Sequence, residues 1–257
     1  MTKIVKISID NIESDIIKIT EIKELRKIIL SGKFDDSLQV KNDEHICQDG
    51  TIYDYSEITD MSLMFDGCSS LTSIPLFDTS NVTNMNNMFV KCHSLTSIPL
   101  LNTSNVISMN GMFSFCNSLT TIPLLNTSNV TDMNEMFSDC YSLTTIPLLN
   151  TSNVTDMGSM FEYCSSFLTT IPLFDTSNVT DMNSMFYCCF YLTSIPFLNT
   201  SNVTDLSLKI FTLCPSLPKI EQVKFFYQKD KILLKSLELN PELFSEENFD
   251  KLLEKYI

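Results

Sequence analysis

Apolar side chains in the middle of this chain follow two alternating spacings. Met133, Met136, Phe137 and Cys140 fall at i, i+3, i+4 and i+7, the spacing that lines one face of a helix. Asp132, just before them, suits an N-cap by its side-chain oxygen and its charge, so a short helix is predicted here. Leu143, Ile146 and Leu148 come next in the pattern Leu-x-x-Ile-x-Leu. Successive side chains of an extended segment point to opposite sides, which turns Ile146 and Leu148 inward and Thr145 and Pro147 outward. Pro147 has no N–H to donate to a ladder, so the strand is expected to be very short and to end at Ile146. Asn150, Thr151, Ser152 and Asn153 are residues whose side chains bond their own backbone in turns, and Val154 re-enters the core.

This unit recurs almost verbatim. Thr-Ser-Asn-Val stands at 79–82, 103–106, 127–130, 151–154, 176–179 and 200–203, and Phe-x-x-Cys at 65–68, 89–92, 113–116, 137–140, 161–164, 186–189 and 211–214. The period is 24 residues through Phe161 and then 25 twice, with one residue added near Phe167 and another between Asp205 and Phe211. A proline sits in the same place at 75, 99, 123, 147, 172 and 196. A single unit cannot bury its own apolar face, but stacked units can, with Val on Val, Met on Met and Phe on Phe. About seven coils are therefore expected, the first and last degenerate as terminal repeats usually are.

These residues resemble the BspA-like leucine-rich repeats, in the variant that reads D-T-S-N-V-T-D-M-x-x-M-F-x-x-C-x-S-L-T in bacterial surface and lipoprotein-like proteins. The match covers about residues 56–217, and several positions recur together in each coil. The resemblance implies an α/β fold, a leucine-rich-repeat right-handed solenoid with short parallel strands on one side and short helices on the other. It also implies binding of other macromolecules and no active site. The Pro of Ile-Pro-Leu replaces a position that is often Asp in that family.

Three regions follow from the pattern. Residues 1–55 form an N-terminal cap region, 56–217 the repeats, and 218–257 a C-terminal helical cap. Lys3 to Ile9 alternates apolar and polar residues, a strand signal. Thr20 to Leu30 reads as a helix closed by Gly32, with Ile22, Leu25, Ile28 and Ile29 on one face. Near the C-terminus Ser245 suits an N-cap, and Phe249, Leu252, Leu253 and Tyr256 line one face. Both ends are expected to cover the open edges of the stack, which would otherwise pair with other chains.

Charge narrows the partners. Of the net −14, residues 56–217 supply −10, with only Lys91 and Lys209 against 12 acids. Such a surface repels a phosphate backbone and an anionic membrane, so neither nucleic acid nor membrane is expected as a partner. No apolar run reaches membrane-spanning length, and the first residues hold no apolar signal-peptide core. The expected location is cytoplasmic, with the extracellular surface as the alternative.

Candidate chemistry is thin. Seven of nine Cys fall in the Phe-x-x-Cys column facing the core. Parallel thiols pointing the same way do not reach disulfide torsion, so reduced core thiols are expected; Cys47 and Cys188 are the two extra. His45 and His93 do not assemble into a nucleophile–base set, and Asp132, Asp156, Asp181 and Asp205 lack the Gly-rich spacing of calcium solenoids. No catalytic residue, metal or cofactor is expected. Two surfaces remain. Ser73, Ser97, Thr121, Thr145, Thr170 and Ser194 should form a hydroxyl row on the concave face, beside a second row from Thr72 to Thr193. Phe115, Tyr163, Tyr187 and Tyr191 offer aromatic anchors on the helical side. The function expected is a non-enzymatic protein-protein interaction scaffold, acting as a single copy on a protein partner. The alternatives are a surface adhesin exported by another route and a viral or phage inhibitor of a host protein.

Overall fold

The computed structural model describes residues 3–9, 12–32, 40–41, 44–46, 52–165, 168–204, 206, 208–227, 233, 235, 237 and 246–254. The insertion at Phe167, Asp205, Cys47, the N-cap Ser245 and Tyr256 lie outside these residues.

Strand β1 (Lys3–Ile9) pairs antiparallel with β2 (Ile12–Lys18), and helix α1 (Ile22–Leu30) follows. Strands β3 (Val40–Lys41), β4 (Glu44–Ile46) and β5 (Ile52–Asp54) complete a five-stranded sheet in the order β1-β2-β5-β4-β3, in which only β2 and β5 run parallel. Leu25 and Ile29 of α1 are buried in one continuous core with Tyr53 of β5, Tyr55 just after it and the repeats beyond them. Arg26, the chain's single arginine, donates to the Asp66 carbonyl (3.2 Å) and to Cys68 Sγ (3.0 Å), which ties α1 to the first repeat.

From Asp60 to Val203 the described residues repeat one conformation, and successive repeats stack through parallel bridges Asp60–Asn84, Asn84–Ser108, Ser108–Asp132, Asp132–Asp156 and Asp156–Asp181. The core is columnar. Phe65, Phe89, Phe113, Phe137, Phe161, Phe186 and Phe211 are buried, with neighbouring rings 5.3 to 6.0 Å apart and 3 to 10° from parallel. This lies within the range where aromatic pairs attract beyond their area burial. At the C-terminal end Phe225 and Phe226, on α2 (Lys219–Phe226), meet Phe211 edge-on at 5.0 and 5.8 Å. Helix α3 (Glu246–Leu253) packs on α2, buries Phe249 and Leu253, and accepts the Tyr227 hydroxyl on the Leu252 carbonyl at 2.7 Å.

The segment from Met133 to Cys140 is not the helix its spacing predicts, and among the described residues its counterparts are not α-helical either, only Leu208–Phe211 of the last repeat forming a single 3-10 turn. Its N–H groups alternate between two uses. Met136, Ser138 and Cys140 donate three residues back, to Met133, Glu135 and Phe137. Met133, Glu135, Phe137 and Asp139 donate to the next repeat, at Asp156, Gly158, Met160 and Glu162 (2.8 to 3.0 Å). A helix would need every N–H for its own i→i−4 carbonyl. Stacking takes half of them, and the chain becomes a run of tight turns with Glu135 (φ 55°) and Asp139 (φ 58°) left-handed. The apolar spacing survives because the turns still bury Met133, Met136, Phe137 and Cys140.

The very short strand expected to end at Ile146 is absent as well. The coil-to-coil bridge falls instead at Asp132, where Thr131 N–H reaches back to Ile107 and Met133 N–H reaches forward to Asp156. Ile146 is buried and Thr145 exposed as alternation predicts, but Leu148 faces solvent and Leu149 takes its place in the core. Alternation fails there because Pro147 fixes its own φ and breaks the strand geometry.

The left-handed turns carry a test. Gly111 sits at φ +56°, and a Cβ there would lie 2.3 Å from Asn87 Oδ1 of the preceding repeat. Gly111→Ala is expected to cost about 1–3 kcal/mol, measured by denaturant unfolding. Gly67→Ala, left-handed but facing open space, should lose only the backbone part, roughly 1 kcal/mol. Equal losses at the two sites would show that Asn87 yields and the stack is looser there than it looks.

Candidate functional site

The polar side chains of the repeat are largely committed to the backbone of neighbouring repeats. Asn81, Asn105, Asn129, Asn153, Asn178 and Asn202 each donate through Nδ2 to a Ser carbonyl of the preceding repeat, at 2.6 to 3.2 Å. Thr79, Thr103, Thr127 and Thr176 are buried and donate to an Asn carbonyl of the following repeat. Buried Thr151 Oγ1, in the same column, has no such partner. Asp132, Asp156 and Asp181 are not helix caps. Each accepts the N–H two residues on, from Asn134, Gly158 and Asn183, and so closes a turn.

The thiols are committed in the same way. Cys92, Cys116, Cys140, Cys164, Cys189 and Cys214 are buried, and each Sγ donates to a Phe carbonyl of the preceding repeat at 2.8 to 3.2 Å. Loss of solvent raises their pKa: Cys214 to about 11, Cys92 to about 12, and Cys116, Cys140, Cys164 and Cys189 well above an ordinary thiol. A thiol held protonated is a poor nucleophile and a poor metal ligand. Cys188, outside the column, is buried too, and burial raises its pKa. Among the described residues no group of three His, Cys, Asp or Glu is placed to hold a metal ion.

Ser73, Ser97, Thr121, Thr145, Thr170 and Ser194 are all exposed, one per repeat. Their bonds are few and weak: Thr145 Oγ1 reaches Thr121 Oγ1 at 3.4 Å, and Thr121 and Thr170 contact the next carbonyl at 3.5 and 3.4 Å. The neighbouring row is structural, since Thr96, Thr144 and Thr193 donate to the carbonyls of Thr72, Thr120 and Thr169. Phe115 and Tyr163 are exposed, but on left-handed turn residues rather than on a helix. Tyr163 meets half-buried Tyr187 edge-on at 5.4 Å. Phe115 stays apart from them, because Asp139 occupies the rung between. That carboxylate is buried and accepts from the Tyr141 hydroxyl (2.6 Å) and the Ser138 hydroxyl (3.1 Å). The bond to Asp139 pushes the Tyr141 phenol up to about 12. Tyr191 is exposed.

One row was not foreseen. Leu76, Leu100, Leu124, Leu148, Leu173 and Phe197, each following the proline of its repeat, are 50 to 63% exposed. Leu124 and Leu148 line an open groove together with Leu125, Asn126, Thr127 and Asn150. Each proline is followed by two apolar residues in succession, and a single extended chain cannot turn both inward.

The repeats and their surface rows define a tandem-repeat protein with a regular, largely uncharged side. Residues 33–146 and 118–220 match the family described as Mycoplasma protein of unknown function, DUF285, and the chain belongs to that family. No curated protein and no solved structure matches it. Among the described residues no helix is long and apolar enough to cross a membrane.

Proposed function

We propose that this chain is a non-enzymatic binding scaffold, a leucine-rich-repeat solenoid of the BspA-like kind that presents its repeated surface to a protein partner inside a cell. In this reading about seven coils form the platform and the two terminal regions cap it. The observation that carries it is the contrast between spent and unspent side chains. Asn, buried Thr and thiol groups are consumed by coil-to-coil hydrogen bonds, while the hydroxyl row and the Leu row stay exposed at fixed spacing. A rigid surface loses little side-chain and loop entropy on binding, which favours recognition by rows rather than by a pocket.

The test is affinity capture from a lysate of the cells that make the protein, read by mass spectrometry. Native chain would be run beside a variant with Thr121, Thr145 and Thr170 changed to Lys. A partner held by the native chain and lost by the still-folded variant is the expected result. Retention by both would move the contact to the Phe115 and Tyr163 side or to the ends, and failure of the native chain to hold any partner would sink the proposal.

A further inference from the structure

The row Leu76, Leu100, Leu124, Leu148, Leu173 and Phe197 needs an occupant. At 50 to 63% exposure, each side chain offers on the order of 100 Å² of apolar surface. Together they reach the upper range for the largest apolar patch on a monomer, roughly 300–600 Å². With the half-buried prolines beside them, the strip approaches the roughly 800 Å² that each partner contributes to a stable protein interface.

Charge selects what can lie there. Residues 69–77, 93–101, 117–125, 141–149, 165–174 and 190–198 contain no Asp, Glu, Lys or Arg. Every acid of the repeats lies in the other segments, on a chain of net charge −14. Two such chains repel one another at long range; the acids nearest the row, Asp78 and Asp175, occupy in their repeats the position that Asn126 and Asn150 hold beside the groove, and an antiparallel pairing sets each opposite an Asn rather than opposite the other. Spacing selects further. In the core the Phe rings recur every 5.3 to 6.0 Å from repeat to repeat, and the Leu row carries one member on each repeat. A ridge with that repeat stays in register over six rungs only against a surface of the same repeat, and a second copy has one.

We infer that two copies of this chain pair along the Leu row, antiparallel, about a two-fold axis between the Leu124 and Leu148 rungs. A two-fold contact requires that if residue i meets j, then j meets i. The register therefore sets Leu124 against Leu148, Leu100 against Leu173, and Leu76 against Phe197. This departs from the single copy expected from sequence, because the row expected inside is outside. It rests on reading the repeat surface as a binding surface. The two ideas fail separately: a monomer that still captures a foreign partner overturns only the pairing.

The experiment is sedimentation equilibrium of the full chain up to about 100 μM, with dissociation constants spanning that range converted by the usual relation. The wild type is expected to form a dimer. Leu124→Lys alone and Leu148→Glu alone should each weaken it by at least about tenfold, since each buries an unpaired charge against Leu. Both sites are more than 60% exposed, so thermal melts of the variants should match the wild type at concentrations well below the dimer's dissociation constant, where pairing adds no stability. If either variant fails to fold, Leu→Ser at the same position replaces it and must weaken the dimer in the same direction. Mixing Leu124→Lys chains with Leu148→Glu chains should restore a dimer, because the two-fold places the introduced ammonium of one copy opposite the introduced carboxylate of the other. A wild-type monomer at the highest concentration, a dimer indifferent to either substitution, or a mixture that stays monomeric would each overturn the inference.

Discussion

Phe137→Ala is expected to lower the unfolding free energy by about 3–5 kcal/mol. Phe137 is fully buried and lies between Phe113 and Phe161, with ring centroids 5.8 Å away on each side. Truncation removes the ring's transfer energy and leaves a cavity that neighbouring rungs cannot fill, because their positions are set by the backbone ladder at Phe137 and Met160. The middle of the stack is also where a defect is felt on both sides, since stacked repeats are stabilised mainly by nearest-neighbour contacts. Denaturant melts measure the loss. Leu148→Ala is the matched control: in the same repeat but 63% exposed, it should change the stability of the single chain by no more than about 0.5 kcal/mol, measured at concentrations too low for pairing. A loss below about 1 kcal/mol at Phe137 would mean that the Phe column does not carry the core.

The columns themselves were readable in the sequence. Met133, Met136, Phe137, Cys140 and Ile146 are all buried, whereas Asn153, read as bonding its own turn, donates instead to the Ser128 carbonyl of the preceding repeat. What could not be read was the backbone that holds them. Spacing i, i+3, i+4 reports which side chains face inward, and a run of tight turns that donates alternate N–H groups to the next repeat buries the same set as a helix. The distinguishing signal was weak: Gly67 and Gly111 mark left-handed positions, yet Lys91, Phe115 and Tyr163 stand equally left-handed without glycine. The Leu row was hidden for a related reason, since alternation was carried across Pro147 when proline had already ended it. The N-terminal sheet depends on β2 pairing with β5, more than thirty residues apart, and no local pattern encodes such a pairing. The candidate hydroxyl row needed only the side preceding Ile146 to point outward, and there alternation held.

Alkaline pH is expected to unfold this chain through its buried thiols. An exposed thiol titrates near about 8.5, whereas burial raises Cys214 to about 11, Cys92 to about 12 and the four thiols between them well above ordinary values. The folded chain therefore keeps protons that the unfolded chain gives up. Their stabilising contribution is complete below about pH 8.5 and is lost as pH rises toward the folded values. In that window each thiol ionised only in the unfolded state lowers stability by about 1.4 kcal/mol per pH unit, and six act together. Ionisation inside the fold is costly twice over, since the thiolate would be desolvated and would no longer donate to its Phe carbonyl. Denaturant melts of the wild type and of Cys140→Ser between about pH 7 and 10.5 isolate one member of the column, because Lys and Tyr titrate equally in both. The wild type should lose stability more steeply above pH 8.5, with the two slopes separating by about one thiol's worth. Parallel curves would mean that Cys140 titrates alike in the folded and unfolded chain and would overturn the buried-thiol account.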